Sequence, residues 1–169
     1  MEPDPVDVVV RDATPEDWAA IYPIFAAIVD EGHTYAYPEG LDSDAARALW
    51  VDGPPGRCVV ATLDATVVGT AKMGPNRPGR GAHVATASVM VADAARGRGV
   101  GRALGRDLVD WAFDEGYRGI QFNAVVSTNV AAVALWRELG FDVVGTVPRG
   151  FEHRELGFVD LYVMYRPLG

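Results

Sequence analysis

Apolar positions along the chain recur with two periods, and the alternation between those periods lays out the elements. Val6 to Val10 is a run of valines broken by Asp7, the pattern of a short strand. Thr14-Pro15-Glu16-Asp17 then offers a cap, a proline at the first helical position and two acids in the first turn, so a helix is expected to begin there. Trp18, Ile21, Tyr22, Phe25, Ile28 and Val29 recur at three- and four-residue steps, giving one apolar face suited to a core. Gly32 is a natural stop. A loop rich in Tyr, Pro and Glu runs on to Leu41, Ser43 is placed to cap a short helix reaching Trp50, and Gly53-Pro54-Pro55-Gly56 breaks the chain.

Arg57 to Leu63 and Thr66 to Met73, joined by Asp64-Ala65, read as a hairpin. A polar Gly/Pro/Arg loop leads into His83 to Val91, where Val84, Ala85, Ala87, Val89 and Val91 predict a central strand. Helical spacing resumes at Val100, with Leu104, Leu108, Trp111 and Ala112 on one face as far as Gly116. A strand (Ile120 to Val126), a helix (Val130 to Leu139, stopped by Gly140) and two strands near Val143 to Val147 and Phe158 to Tyr165 follow. The order β-α-α-β-β-β-α-β-α-β-β mixes a hairpin region with β-α-β units, which predicts an α/β sheet with both kinds of pairing.

Length and composition add bounds. At 169 residues, 49% hydrophobic and 22% charged, the chain is expected to form a single soluble domain with a filled interior rather than a disordered chain. Cys58, the single cysteine, sits in an apolar strand and reads as a small core residue, which leaves no internal disulfide or thiol pair and suits a cytoplasmic protein. Residues 1 to 5 lack the pattern of a signal peptide, and no apolar window is long enough to span a membrane.

The net charge of -8 hides a local reversal. From Lys72 to Arg106 there are seven cations (Lys72, Arg77, Arg80, Arg96, Arg98, Arg102, Arg106) against Asp93 alone, a local +6 that leaves -14 for the remainder. Such an acidic surround argues against nucleic acid and anionic membranes as partners, while the basic island attracts one anion locally. Within it, Arg96-Gly97-Arg98-Gly99-Val100-Gly101-Arg102 joins the central strand to the next helix. Glycines there let backbone approach a ligand, and the free N–H groups of a helix start carry partial positive charge, so the turn predicts an anion cradle. It is not a Walker A loop, since no Gly-Lys-Ser/Thr ends it, nor a dinucleotide fingerprint, since the third glycine is missing.

Two motifs carry a family resemblance. Arg96-x-x-Gly99-x-Gly101 after Val89-Met90-Val91 resembles the acetyl-coenzyme A signature of the GCN5-related N-acetyltransferase superfamily. Asn129-x-x-Ala132-x-x-Leu135-Trp136-x-x-Leu139-Gly140-Phe141 is similar to that superfamily's next motif in spacing and identity. The resemblance implies a mixed, mostly antiparallel central sheet with a splayed parallel strand pair, flanked by helices. It implies acetyl-CoA as cosubstrate and no metal. Backbone N–H groups from Arg96 through Gly97, Arg98, Gly99, Val100 and Gly101 to Arg102 would hold the pyrophosphate, with the Arg98 and Arg102 side chains as outer contacts. The edge of Val89, Met90 and Val91 would pair with the pantetheine and offer an N–H to the thioester oxygen. Asn129 would cap its helix, hydrogen-bond the pantetheine arm, or do both. Trp136 stands at the position where many members carry a tyrosine as acid and would be a cofactor contact; an indole cannot protonate a thiolate, which leaves solvent or another tyrosine such as Tyr162 or Tyr165 as the acid.

Phe122-Asn123-Ala124-Val125-Val126-Ser127-Thr128-Asn129 and Gly150-Phe151-Glu152-His153 resemble the branch of phosphinothricin-type and proline-analogue acetyltransferases. That branch implies transfer to the primary or secondary amine of a small amino-acid-like substrate, by direct attack in a ternary complex. Asn123 would orient the acceptor, Thr86 matches a position lining the acceptor site, and His153, favoured over His33 and His83, would be the base. Glu31, Tyr35 and Glu39 lie in the loop that walls the acceptor side. An α-amine near pKa 8 is about one tenth neutral at pH 7, so a weak base suffices for it. Dimers are common in this branch, which makes a homodimer the expected assembly. A non-catalytic acyl-CoA sensor and a protein N-acetyltransferase are the alternatives.

Overall fold

The computed structural model describes residues 7 to 169. Among the described residues, seven strands form one sheet in the order β1-β2-β3-β4-β5-β7-β6: β1 Val9–Asp12, β2 Arg57–Leu63, β3 Thr66–Pro75, β4 Val84–Val91, β5 Gly119–Val126, β6 Asp142–His153 and β7 Gly157–Pro167. Every neighbouring pair is antiparallel except β4 and β5. This is the mixed, mostly antiparallel sheet expected. The described residues also form four α-helices that flank it: α1 Trp18–Glu31, α2 Ser43–Trp50, α3 Val100–Asp114 and α4 Val130–Glu138.

Strand alternation divides the core between the two faces. Val59, Ala61 and Leu63 of β2 pack with Leu104, Leu108 and Trp136 under α3 and α4. Val60, between them, faces Trp18, Phe25 and Trp50 of α1 and α2. On that second face the Trp50 indole N–H donates to Thr70 Oγ1 at 3.0 Å, and Thr70 in turn donates to the Val59 carbonyl at 2.9 Å, all in fully buried surroundings. The Asp64-Ala65 turn of the β2–β3 hairpin has φ of 47° and 61°, the left-handed pair that matches strand twist.

Four boundaries differ from the sequence pattern. Strand β1 runs from Val9 to Asp12 rather than from Val6, which lies outside the described residues. The first turn before α1 is a 3-10 turn (Pro15–Asp17), with α1 proper starting at Trp18. Asp42, not Ser43, caps α2 through the Ala45 N–H at 2.8 Å, while the Ser43 hydroxyl accepts the Trp18 indole N–H. The last two strands are longer than their apolar runs, because a bulge between Val147 and Phe151, with Arg149 at φ 55°, interrupts the alternation without ending β6. His153 is therefore the last residue of β6, paired with Gly157, and directly precedes the hairpin turn.

Candidate active site

Strands β4 and β5 pair only at Val84–Gly119 and Ala85–Ile120 and then diverge. The bonds from Asn76 N–H to Val84 and from Ala92 N–H to Val68 fix the parity of the β3–β4 ladder. Even-numbered residues of β4 thus bond β3, and the N–H and C=O groups of Ala87, Val89 and Val91 point into the gap toward β5. The gap opens into a cleft of about 880 Å³. Its walls are β4, the 96–102 turn, β5, the start of α4 and the loop after α1.

One end of the cleft is built by the glycine-rich turn. Gly97 and Gly99 have φ of 75° and 82°, a region L side chains rarely enter, and a Cβ at either would meet no protein atom within 4 Å. Gly99 is the N-cap of α3 and supplies no side-chain cap, so the N–H groups of the first turn are free to face an anion. Close approach of α4 to α3 depends on Gly105, where a Cβ would lie 2.5 Å from Leu139 and 2.9 Å from Trp136.

The basic island does not gather into one patch. Arg96 and Arg102 line the cleft, but Arg96 pairs with Glu31 and Asp93 at 3.3 Å each, and Arg102 with Glu138 at 2.5 Å. Lys72 is held by Asp52 and the Leu49 carbonyl, and neither it nor Arg77, Arg80, Arg98 or Arg106 lines the cleft. Backbone N–H groups, more than side-chain charge, make the anion-attracting end.

The remaining candidates stand elsewhere on the cleft wall. Asn123, Thr86 and His153 all line the same cleft. Asn123 is exposed, accepts from Gln121 Nε2 at 2.9 Å and donates to Asn76 Oδ1 at 2.6 Å. Thr86 and Ser88 share the face of β4 that carries Met90 into the α1–α2 core, which turns them toward the loop after α1. His153 is buried at 8% exposure, and its Nδ1 accepts the N–H groups of both Glu155 and Leu156 at 3.1 Å. That nitrogen's lone pair is committed to the hairpin turn, so the imidazole offers the cleft an Nε2–H, a donor. His33 stacks on it at 4.5 Å and 3°. The tip of the β6–β7 hairpin is clamped to the loop after α1 by Arg154, through its N–H to Gly32, its Nε to the Glu31 carbonyl and its pair with Glu39.

Asn129 caps α4 through the Ala132 N–H at 3.3 Å and also lines the cleft. Trp136 lies against Phe122 at 4.5 Å and reaches the cleft wall. Tyr162 and Tyr165 do not line it; the Tyr165 ring covers Gly119 at the closed end of the β4–β5 pair. The tyrosines that do are Tyr35 and Tyr37. The Tyr35 hydroxyl accepts the Val89 N–H at 3.0 Å and donates to the Val89 carbonyl at 2.5 Å, and burial pushes its phenol above the ordinary value. Nothing in the sequence marks that contact, which joins residues 54 apart. Burial likewise raises the Cys58 thiol, which lies outside the cleft. Among the described residues, no three His, Cys, Asp or Glu side chains converge as metal ligands would.

Residues 18–141 match the model of the acetyltransferase (GNAT) family. The chain belongs to the acetyltransferase (GNAT) family. Its GNAT relatives include the L-amino acid N-acetyltransferase AaaT of Escherichia coli, 29% identical over 95% of this chain and 98% of that protein. Against N-acetyltransferase aca1 of Schizosaccharomyces pombe, 30% identical over 58% of this chain, the match spans about half of the relative, 47% of its length. Among solved structures, a GCN5-related N-acetyltransferase from Kribbella flavida superposes with a TM-score of 0.92 at 59% identity, over 95% of this chain and 98% of that one. A GNAT phosphinothricin acetyltransferase from Sinorhizobium meliloti, in complex with AcCoA, gives a TM-score of 0.86 at 26% identity, over 96% and 89% of the two chains.

Proposed function

We propose that this GNAT chain acts as one catalytic unit that moves the acetyl group of acetyl-CoA to the amine of a small amino-acid-like acceptor. The observation that carries the reading is the splayed β4–β5 pair, whose edge, left without a strand partner beyond Ala85, runs directly into an open cradle of glycine N–H groups. An extended arm bearing amides, tethered to a diphosphate, complements both features. On this reading the N–H groups of residues 97 to 102 hold the pyrophosphate, with Arg96 and Arg102 alongside. Val91 pairs with the pantetheine, Val89 offers its N–H to the acyl oxygen, and Asn129 keeps its cap while its amide N–H₂ faces the arm. Trp136 packs beside the arm as an apolar wall. Arg98, which does not line the cleft, contributes its backbone only.

The acceptor lies at the end walled by Thr86, Asn123, Tyr35 and His153. Acetyl-CoA supplies the activated acyl group; the chain supplies a donor for the charge that develops on the acyl oxygen and a geometry that brings the amine to the acyl carbon. Asn123 and Thr86 orient the acceptor, and His153 gives it a hydrogen bond rather than taking its proton. A free α-amine, about one tenth neutral at pH 7, sheds its proton to solvent before attack. The named activities of the relatives, acetylation of L-amino acids among them, agree with an acceptor of this size.

Thiol release from acetyl-CoA tests the reading, measured with free L-amino acids, proline analogues, phosphinothricin and a lysine peptide. Turnover with a free amino acid or its analogue is expected. Turnover with the peptide alone makes the chain a protein acetyltransferase, and tight acetyl-CoA binding without turnover makes it a sensor; either result overturns the proposal.

A further inference from the structure

The hydroxyl of Tyr35 holds both gap-facing groups of Val89, its N–H and its C=O. Tyr35 belongs to the loop after α1 and its ring is stacked on Tyr37 at 6.0 Å and 19°, so the hydroxyl is delivered to β4 by a buttressed side chain. Phe25 supports that stack, lying 5.2 Å from Tyr37 and 1% exposed. If the reading of the cleft given above holds, Val89 is the β4 residue whose N–H meets the acyl oxygen, and the phenolic oxygen stands in for that oxygen.

We propose that Tyr35 is a further catalytic residue: displaced from Val89 by the acyl oxygen, its O–H becomes the second donor to that same oxygen. An oxygen that takes the Val89 N–H occupies the place the phenol held. A phenol moved aside by one hydrogen-bond length then touches it. Two donors, one backbone and one side chain, make an oxyanion site where the sequence motif alone supplies one. As the amine nitrogen bonds to the acyl carbon, the C–S bond breaks and its electron pair leaves on sulfur. Negative charge builds on the acyl oxygen and falls away again. Tyr35 donates throughout and keeps its proton, which its burial favours. The thiolate and the amine exchange their proton through solvent. The hydroxyl has a second consequence: its two bonds to Val89 are lost when a ligand takes that edge, so the wild type binds against a competitor that Tyr35→Phe lacks.

The test uses the full chain, Tyr35→Phe, and two ligands that cannot transfer. One is the carba(dethia) ketone analogue of acetyl-CoA, which keeps the carbonyl; the other is S-ethyl-CoA, which has none. The wild type is expected to prefer the ketone. Tyr35→Phe is expected to bind S-ethyl-CoA as tightly as wild type or tighter, which also shows that the variant is folded, and to lose roughly tenfold or more of the preference for the ketone. With acetyl-CoA and an accepted amine its kcat should fall about 100-fold. Unchanged preference and unchanged kcat in Tyr35→Phe overturn the assignment while leaving the cleft reading intact. Loss of affinity for both ligands makes Tyr35 structural and also overturns it. Failure of the wild type to bind either ligand overturns the cleft reading and the assignment together.

Discussion

Gly99 and Gly116 form a matched pair that separates the strain of a substitution from its effect on a ligand. Gly99 precedes α3 at φ 82°, Gly116 follows α3 at φ 84°, and a Cβ at either position meets nothing within 4 Å. Alanine at either site therefore adds no clash and imposes only the left-handed backbone penalty, about 1–2 kcal/mol. For a chain of this size that corresponds to a fall in Tm of roughly 2–8 °C. The two sites differ in what the added methyl faces: Gly99 lies in the cradle wall of the cleft and Gly116 does not. Gly99→Ala should also cost one charge-assisted hydrogen bond to the diphosphate, roughly 1.5–3 kcal/mol, or about 10- to 100-fold in affinity. Thermal melts without ligand and calorimetric titration with CoA measure the two terms separately. Both variants should melt lower by a similar amount, and only Gly99→Ala should bind CoA weakly. Equal CoA affinities in the two variants would refute the assignment of the turn, and an unshifted melt in either would refute the backbone argument.

Thr70→Val keeps the shape of the side chain but leaves the Trp50 indole N–H without an acceptor in the core. A loss of about 1–3 kcal/mol is expected in urea unfolding, and an unmoved midpoint would count against that hydrogen bond. Asp17 is bonded by the Arg11 guanidinium and by the Thr14 N–H and hydroxyl, and Arg11 is the largest of the causes that hold its carboxyl well below the usual range. Its contribution to stability is present above the unfolded value of about 3.9 and lost as pH falls toward the lowered one. Asp17→Asn should thus melt below wild type at pH 7, with the gap closing in acid; a gap that widens below pH 4 would contradict the assignment.

Legibility in the sequence followed how local the cause of each feature was. The faces of α1 and α3, the Asp64-Ala65 turn and the glycine-rich turn into α3 are each determined by residues within a few positions, and all are readable. The choice of Asp42 over Ser43 as cap was not, because both residue types can cap and the Ser43 hydroxyl is claimed by Trp18, distant in sequence. Strand β6 was underestimated because Pro148-Arg149-Gly150 has the composition of a turn, yet forms a bulge held by β7. The +6 island is plain in the sequence, but apart from Asp93 the acids that pair with it, Glu31, Asp52 and Glu138, come from other parts of the chain. Long-range contacts also decide the chemistry. The tautomer of His153 is set by a turn two and three residues on, and the hydroxyl on Val89 comes from 54 residues away.

Amide hydrogen exchange on adding CoA tests the cofactor path most directly. The account predicts new protection at the Val91 N–H and across residues 97 to 102, with β1 and β2 unchanged. Protection confined to other elements, or none in β4 at ligand saturation, would contradict it.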